Sequence, residues 1–341
     1  MNKILRAALL FSLALSVSSC VCGNSGSGIP SDKKDVIDRF LAGTLDPSYT
    51  PALFFGSFGA EKMSGNAAVQ AHLEFYLKGG SDILKVQTEQ QMPYIEELTM
   101  DTPLVPEDYY RPTLEVVKKI QETVGKDVYV MPTILSPYQV ARQGMGDDRL
   151  PGFAKTKAAE YRRMLDSYTQ AIFWYIRECK AAGIEAFFTA SQGGEMKYYD
   201  VDIEGGFFET CVRPYDLIVM NEAAKDSKFT ILHICDWEGP MDDLTRYLEY
   251  PGKIVSVPLA LDGKAIPLKE VYEMFGRPVE GGFNRKAEMV TESPEKIADM
   301  ARELIASGPK GRMILGADCS VPSPLDATDN VHAAVSAAHG R

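Results

Sequence analysis

The stretch FTILHICDWEG, residues 229–239, carries the reading of this chain. Its first seven residues form an apolar run that ends in a histidine and a cysteine two positions apart. Side chains alternate faces along a β-strand. Ile231, His233 and Cys235 therefore share one face, and Leu232 and Ile234 share the other. The second face suits a layer of helices. The first places an imidazole and a thiol at the carboxyl end of the strand, where they can converge on something.

Seven more runs have the same character: PALFFGS (51–57), ILKVQ (83–87), VYVMPTIL (128–135), AFFTAS (186–191), IVSVPLA (254–260), PVEGGFN (278–284) and MILGADC (313–319). Helical patterns separate most of them. Examples are 111–125, the long stretch 154–182 ending at Gly183, and 293–308, where Ser293 is placed to cap, Pro294 to start and Gly308 to stop a helix. Strands alternating with helices imply parallel strands joined by crossovers. Eight such units predict an α/β protein with a single (β/α)8 TIM barrel domain; an open doubly wound sheet is the competing arrangement. The chain exceeds the usual barrel length of about 250 residues, so extended loops are expected at 138–155 and 192–208. In such a barrel the chemistry sits at the carboxyl ends of the strands. Those ends carry Gln87, Ser136, Gln192, His233, Cys235, Asn284 and Cys319.

The formal net charge is −11, and no basic run interrupts the body of the chain. Nucleic acid and an anionic membrane surface are thereby disfavoured as partners. The first twenty residues, MNKILRAALLFSLALSVSSC, have a basic start, a short apolar core and small residues before Cys20. This is the pattern of a secretory signal, too short to span a bilayer. VSSC also resembles a bacterial lipobox, with Cys20 as the lipidated residue; an ordinary signal cut near Ser19 is the alternative. The expected organisation is a signal peptide over 1–20, a Gly/Ser-rich tether over 21–34 and the barrel over 35–341. The expected address is the bacterial cell envelope of an exported lipoprotein, with membrane contact through the lipid anchor only.

Beyond Cys20 the cysteines are Cys22, Cys179, Cys211, Cys235 and Cys319. Five is odd, and no CxxC pair occurs, so a full disulfide set cannot form within one chain. His233 and Cys235 from the fifth unit and Cys319 from the eighth can instead meet at the barrel mouth. One nitrogen and two sulfurs suit zinc, and three protein ligands leave a fourth position open, as in catalytic sites. The same residue types also fit a packed histidine beside buried thiols, or a Cys235–Cys319 disulfide.

The segments LHICD, VEGGFN and ILGADCSVPSPLDATDNVHAAVSAA, with GGSDILKVQ and MPTILSPYQVARQGMG, resemble the uroporphyrinogen decarboxylase (URO-D) superfamily. The resemblance runs over roughly residues 35–340. It implies a (β/α)8 barrel, and an activity among the tetrapyrrole decarboxylases or the zinc-dependent, corrinoid-linked methyltransferases that methylate thiols. The methyltransferase branch is the closer one. Its His-x-Cys pair and distant Cys fall on His233, Cys235 and Cys319, which implies zinc as cofactor and a corrinoid as methyl donor. The decarboxylases carry an arginine motif after the first strand, where this chain reads FFGSFGAEKM (54–63) with no arginine. A polyanionic porphyrin precursor would need such cations. The expected partner is therefore a small-molecule thiol, or a tetrapyrrole or corrinoid. The remaining alternatives are a tetrapyrrole decarboxylase and a non-catalytic surface protein that binds a tetrapyrrole or corrinoid.

Gln87, Gln192, Glu195 and Asn284 are the expected substrate-binding residues, with Arg285 beside the last of them. Asp236 and Asp318 flank the cysteines, either orienting a metal ligand or lying solvated. Glu61 could supply a fourth ligand, and Tyr198, Tyr199 and Trp237 could wall a flat ligand. His72 lies in helical sequence and reads as a structural or surface residue, and His332 and His339 lie near the last helix, away from the mouth.

Overall fold

The computed structural model describes residues 32–59, 62, 64–87, 106–146, 148–236 and 239–341. The signal segment, Cys20, nearly all of the tether, Glu61 and Trp237 lie outside these residues. Each of the eight apolar runs contains a strand: β1 Ala52–Leu53, β2 Ile83–Val86, β3 Tyr129–Leu135, β4 Ala186–Ser191, β5 Phe229–Ile234, β6 Ile254–Ser256, β7 Val279–Phe283 and β8 Met313–Ala317. They form one all-parallel sheet in the order β1-β8-β7-β6-β5-β4-β3-β2. This is a barrel closed by ladders everywhere except between β1 and β2.

Asp82 ties that seam together, with the Ser81 hydroxyl accepting from Phe54 N–H at 3.2 Å beside it. The Asp82 backbone N–H donates to the Ala52 carbonyl at 2.8 Å, and its carboxylate accepts from Ala52 N–H at 2.8 Å. The same carboxylate accepts from the Tyr49 hydroxyl at 2.6 Å and lies 2.8 Å from His339 Nε2. His339 therefore belongs to the closed end of the barrel, away from the mouth.

Helices cover the sheet: α1 Lys33–Ala42, α2 Gly65–Gly79, α3 Pro106–Val124, α4 Pro137–Met145, α5 Leu150–Thr156, α6 Ala158–Ala181, α7 Arg213–Ala224, α8 Leu268–Phe275, α9 Glu288–Thr291, α10 Pro294–Ser307 and α11 Thr328–Ala338. The caps of α10 are those expected, with Ser293 accepting from Lys296 N–H and Pro294 in the first turn. α1 begins at Lys33, two residues ahead of the expected edge of the barrel unit. The 138–155 stretch, expected as a loop, folds mostly as α4 and α5. Ser136 and Gln139 form a reciprocal capping box there, and Pro137 sits in the first turn, so the chain turns straight from β3 into a helix. Residues 192–206 are irregular apart from a 3-10 turn at Met196–Tyr198, as expected for an extended loop. Between β5 and β6 the described crossover helix is only a 3-10 turn, Thr245–Tyr247. No described helix is long and apolar enough to cross a membrane.

The alternation read from the sequence sorts the core into two shells. Ile231, Phe229, Ile254 and Ile314 face the barrel interior, which is stopped at one end by Ile37 and Phe40 of α1. Leu232 and Ile234 pack outward among the helices. Burial of each such aliphatic side chain contributes about 1.5–3 kcal/mol. A one-residue slip of β5 would exchange these faces, so the hydrophobic pattern fixes which residues look into the barrel.

Candidate metal centre

Above the apolar interior the strands turn polar. His233 is buried on β5, Cys235 is buried just beyond it, and Cys319 is half-buried just beyond β8. One donor atom from each of the three lies within 4.8 Å of the others. None of the four described cysteines is in a disulfide, so the disulfide alternative for Cys235 and Cys319 does not hold. Nor is His233 an ordinary packed histidine. Its Nδ1 lies 3.1 Å from Ser256 Oγ, whereas its buried Nε2 has no hydrogen-bond partner. A buried nitrogen left without a partner costs free energy unless something else takes its lone pair or proton.

The sulfurs are held from both sides. The Cys235 backbone N–H donates to the Ser191 carbonyl at 3.0 Å, and Gln192 Nε2 donates to Cys235 Sγ at 3.4 Å. Arg142 Nε in turn donates to Gln192 Oε1 at 3.1 Å, fixing the amide. The Cys319 thiol is held well below its ordinary pKa. A hydrogen bond from the Cys235 thiol dominates; burial opposes it, and the His233 ring and the Arg285 cation assist. A nitrogen and two sulfurs, one already favouring the thiolate, match the donor set of a soft-to-borderline cation such as zinc.

These groups line a cavity of about 480 Å³ at the carboxyl ends of the strands. Of the four expected substrate-binding residues, Gln87 and Gln192 line it. Glu195 and Asn284 are not among its lining residues. Glu195 is fully buried under its own loop, where Oε2 accepts from Gly193 N–H at 2.6 Å. Gly193 sits at φ +94°, and a Cβ on Gly194 would overlap the Tyr247 hydroxyl, so the two glycines permit this tight return. Burial raises the Glu195 pKa to about 7. The Asn284 side chain accepts from Lys286 and Ala287 N–H groups at 2.9 and 3.1 Å and serves as a turn. Arg285 pairs with Asp318 at 2.8 Å, so neither is a solvated loop charge.

Lys85, Gln139, Arg142 and Gln143 are among the cavity residues that escaped the sequence reading. Lys85 Nζ lies 3.8 and 4.5 Å from the ring centroids of Phe55 and Phe188, and it donates to Gln87 Oε1. The signal for it was present. A lysine inside the apolar run ILKVQ shares a face with Gln87 two residues on. Gln139, Arg142 and Gln143 are spaced i, i+3 and i+4 on α4, which puts them on one face of the helix. His72 has a supporting place. Its Nε2 accepts from Gln87 N–H at 3.1 Å, with Nδ1 on the Ala68 carbonyl at 2.8 Å, and burial lowers its pKa to about 4.

Beneath the triad lies one more ionisable group. Glu280 on β7 is fully buried, and neither carboxyl oxygen has a hydrogen-bond partner. Burial raises its pKa to about 8, against the pull of the Ser256 hydroxyl and Lys85.

The sequence profile of the uroporphyrinogen decarboxylase (URO-D) family matches residues 72–341. The chain belongs to that family. Solved structures agree with the URO-D barrel. A methyltransferase from Methanosarcina mazei superposes with a TM-score of 0.68 at 17% identity, covering 90% of this chain and 98% of its own. A B12-independent methionine synthase from Shewanella sp. W3-18-1 gives 0.55 at 14% identity, covering 85% of this chain and 97% of its own. At these identities the likeness is one of fold. A search of curated proteins finds no match.

Proposed function

We propose that this URO-D family member is a zinc-dependent methyltransferase that activates a small thiol to accept a methyl group from a corrinoid. The observation that carries the reading is the buried, partnerless Nε2 of His233 facing two sulfurs that are not disulfide-bonded. His233, Cys235 and Cys319 would hold the metal, with the fourth position open to the cavity. Zinc bound there would supply Lewis acidity, lowering the pKa of a thiol in the open position until its thiolate forms near neutral pH.

The rest of the work belongs to the chain. Gln192, braced by Arg142, holds Cys235 in place. Phe55 and Phe188 give the cavity apolar walls, while Lys85 and Arg142 bring positive charge into it. A thiol that also bears an acid group suits that lining. In the transfer a sulfur–carbon bond forms as the donor–methyl bond breaks, and the methyl donor keeps that bond's electron pair. The absence of an arginine from 54–63 weighs against a tetrapyrrole decarboxylase. The sequence pattern at Cys20 supports an address in the bacterial envelope through a lipid anchor, and this is part of the same proposal.

Metal analysis of the purified protein tests the reading. About one zinc per chain is expected, falling strongly in Cys319→Ser. The zinc-loaded protein should transfer the methyl of methylcobalamin to a small acidic thiol. A wild-type protein with no affinity for zinc would refute the proposal.

A further inference from the structure

Four glutamines line the cavity above the triad, and in each of them the chain itself engages the carbonyl oxygen. Gln87 Oε1 accepts from Lys85 Nζ, Gln139 Oε1 from Ser136 N–H at 2.9 Å, Gln192 Oε1 from Arg142 Nε at 3.1 Å and Gln143 Oε1 from the Tyr109 hydroxyl at 3.4 Å. An ammonium, a guanidinium N–H and a backbone N–H can only donate. The first three amides therefore have one possible orientation. Every glutamine has its acceptor used and its N–H2 group left over. Gln192 spends that group on Cys235 Sγ, at 3.4 Å. The N–H2 groups of Gln87, Gln139 and Gln143 have no such partner among the described residues.

The charges agree with the amides. Lys85 and Arg142 line the cavity, but no aspartate or glutamate does among the described residues, although the chain holds 47. The acids nearby face elsewhere. Glu195 accepts from Gly193 N–H, and Asp318 pairs with Arg285. Away from the metal ligands, the other polar lining groups are the uncharged hydroxyls of Ser57, Thr133 and Ser320.

Such a wall discriminates between acids that differ in a single group. A carboxylate only accepts, and it matches both N–H2 groups and cations. The ammonium of an α-amino acid only donates. Here it would be desolvated against other donors, with no carboxylate to receive it.

We infer that the thiol substrate is a mercapto acid without an amino group, selected by the N–H2 groups of Gln87, Gln139 and Gln143, and that amino-acid thiols are excluded. The inference rests on the thiol reading above and narrows it.

The test uses methyl thioethers, the products of methyl transfer to a thiol, because they bind without a thiolate–metal bond. 3-(Methylthio)propionate and S-methylcysteine differ only by the α-ammonium group. Their affinities for the purified protein are measured by ligand-observed NMR titration, with zinc and after chelation. 3-(Methylthio)propionate should bind about 10- to 100-fold more tightly, the scale of one hydrogen bond to a charged group. 3-(Methylthio)propylamine, which carries the ammonium alone, should not displace it. Gln139→Glu keeps the capping box of α4, since a glutamate also accepts from Ser136 N–H, but it replaces the donor with an acceptor. It should narrow the preference about tenfold, by weakening the acid and admitting S-methylcysteine. Gln143→Glu should act in the same direction. Equal affinities for the matched pair overturn the inference. So does a titration of 3-(methylthio)propionate that does not saturate, or a preference unchanged in both glutamate variants. A chain that takes up no zinc yet keeps the preference overturns the metal reading and leaves the donor wall standing. A zinc-loaded chain without the preference does the reverse.

Discussion

Gly316→Ala is the sharpest test of how the barrel interior is built. Gly316 pairs with Leu53 in the β1–β8 ladder and faces Glu280 across the adjacent strand. A methyl group there would overlap Glu280 Oε1 and come within 2.6 Å of the Leu53 carbonyl oxygen. The carboxyl can rotate, but the carbonyl belongs to a two-residue strand that cannot move without opening the ladder. Overpacking of this kind costs about 1–3 kcal/mol, and the backbone contact places the variant near the top of that range. For a chain of 341 residues, each kcal/mol lowers Tm by about 1.5 °C. The expected fall is therefore about 4–5 °C by differential scanning calorimetry. Adding Glu280→Ala removes one of the two overlaps and should recover part of the loss. A Tm within about 1 °C of wild type, or a double variant no more stable than Gly316→Ala, would show that β1, β7 and β8 do not meet as described.

Other outcomes follow from the buried charges and the cavity lining. Asp216, fully buried on α7 with Ser191 and Tyr250 donating to it, has its pKa raised to about 7 by burial. Its contribution to stability is full below about pH 4, the unfolded value, and is lost as pH rises toward 7. Asp216→Asn should flatten that part of the stability–pH curve and gain up to about 4 kcal/mol relative to wild type at pH 8, measured by urea denaturation. Asp82 titrates with the opposite sign. Burial pushes its pKa up, but His339, Lys33 and Tyr49 outweigh burial and hold it below the usual range. Its contribution is present above about pH 4 and is lost as pH falls through the lowered folded value. Asp82→Asn should cost about 3–5 kcal/mol near neutral pH by the same assay, since the barrel seam loses its charged acceptor. Lys85→Met should leave zinc content unchanged while raising KM for an acidic thiol about tenfold, the scale of one charge-assisted hydrogen bond; an unchanged KM would separate Lys85 from substrate binding.

The candidate site was legible where its residues interrupt a pattern at a strand end. His233 and Cys235 stand out in FTILHIC because alternation puts them on the face opposite Leu232 and Ile234, and Cys319 ends a run of the same kind. Lys85 and Glu280 interrupt apolar runs just as visibly, at ILKVQ and PVEGGFN, but in mid-strand rather than at the end. A charge in such a place reads as a solvated edge until the sheet is known to close. Glu195 and Asn284 were misplaced for the converse reason. Both follow strands, but the turns they make fold their side chains back onto nearby backbone N–H groups.

Strand number, strand direction and facing were set by local chemistry. Period-two alternation, capping serines and stop glycines each act over a few residues, and those signals yielded eight parallel units and the inward side of β5. Convergence was not local. Cys319 lies 84 residues from Cys235, and which groups share the mouth depends on the order in which strands close around the barrel. The row from His233 through Ser256 to Glu280 exists only because three strands pair in one register. No segment carries that register alone, because it is fixed by the packing of the whole sheet against its helices.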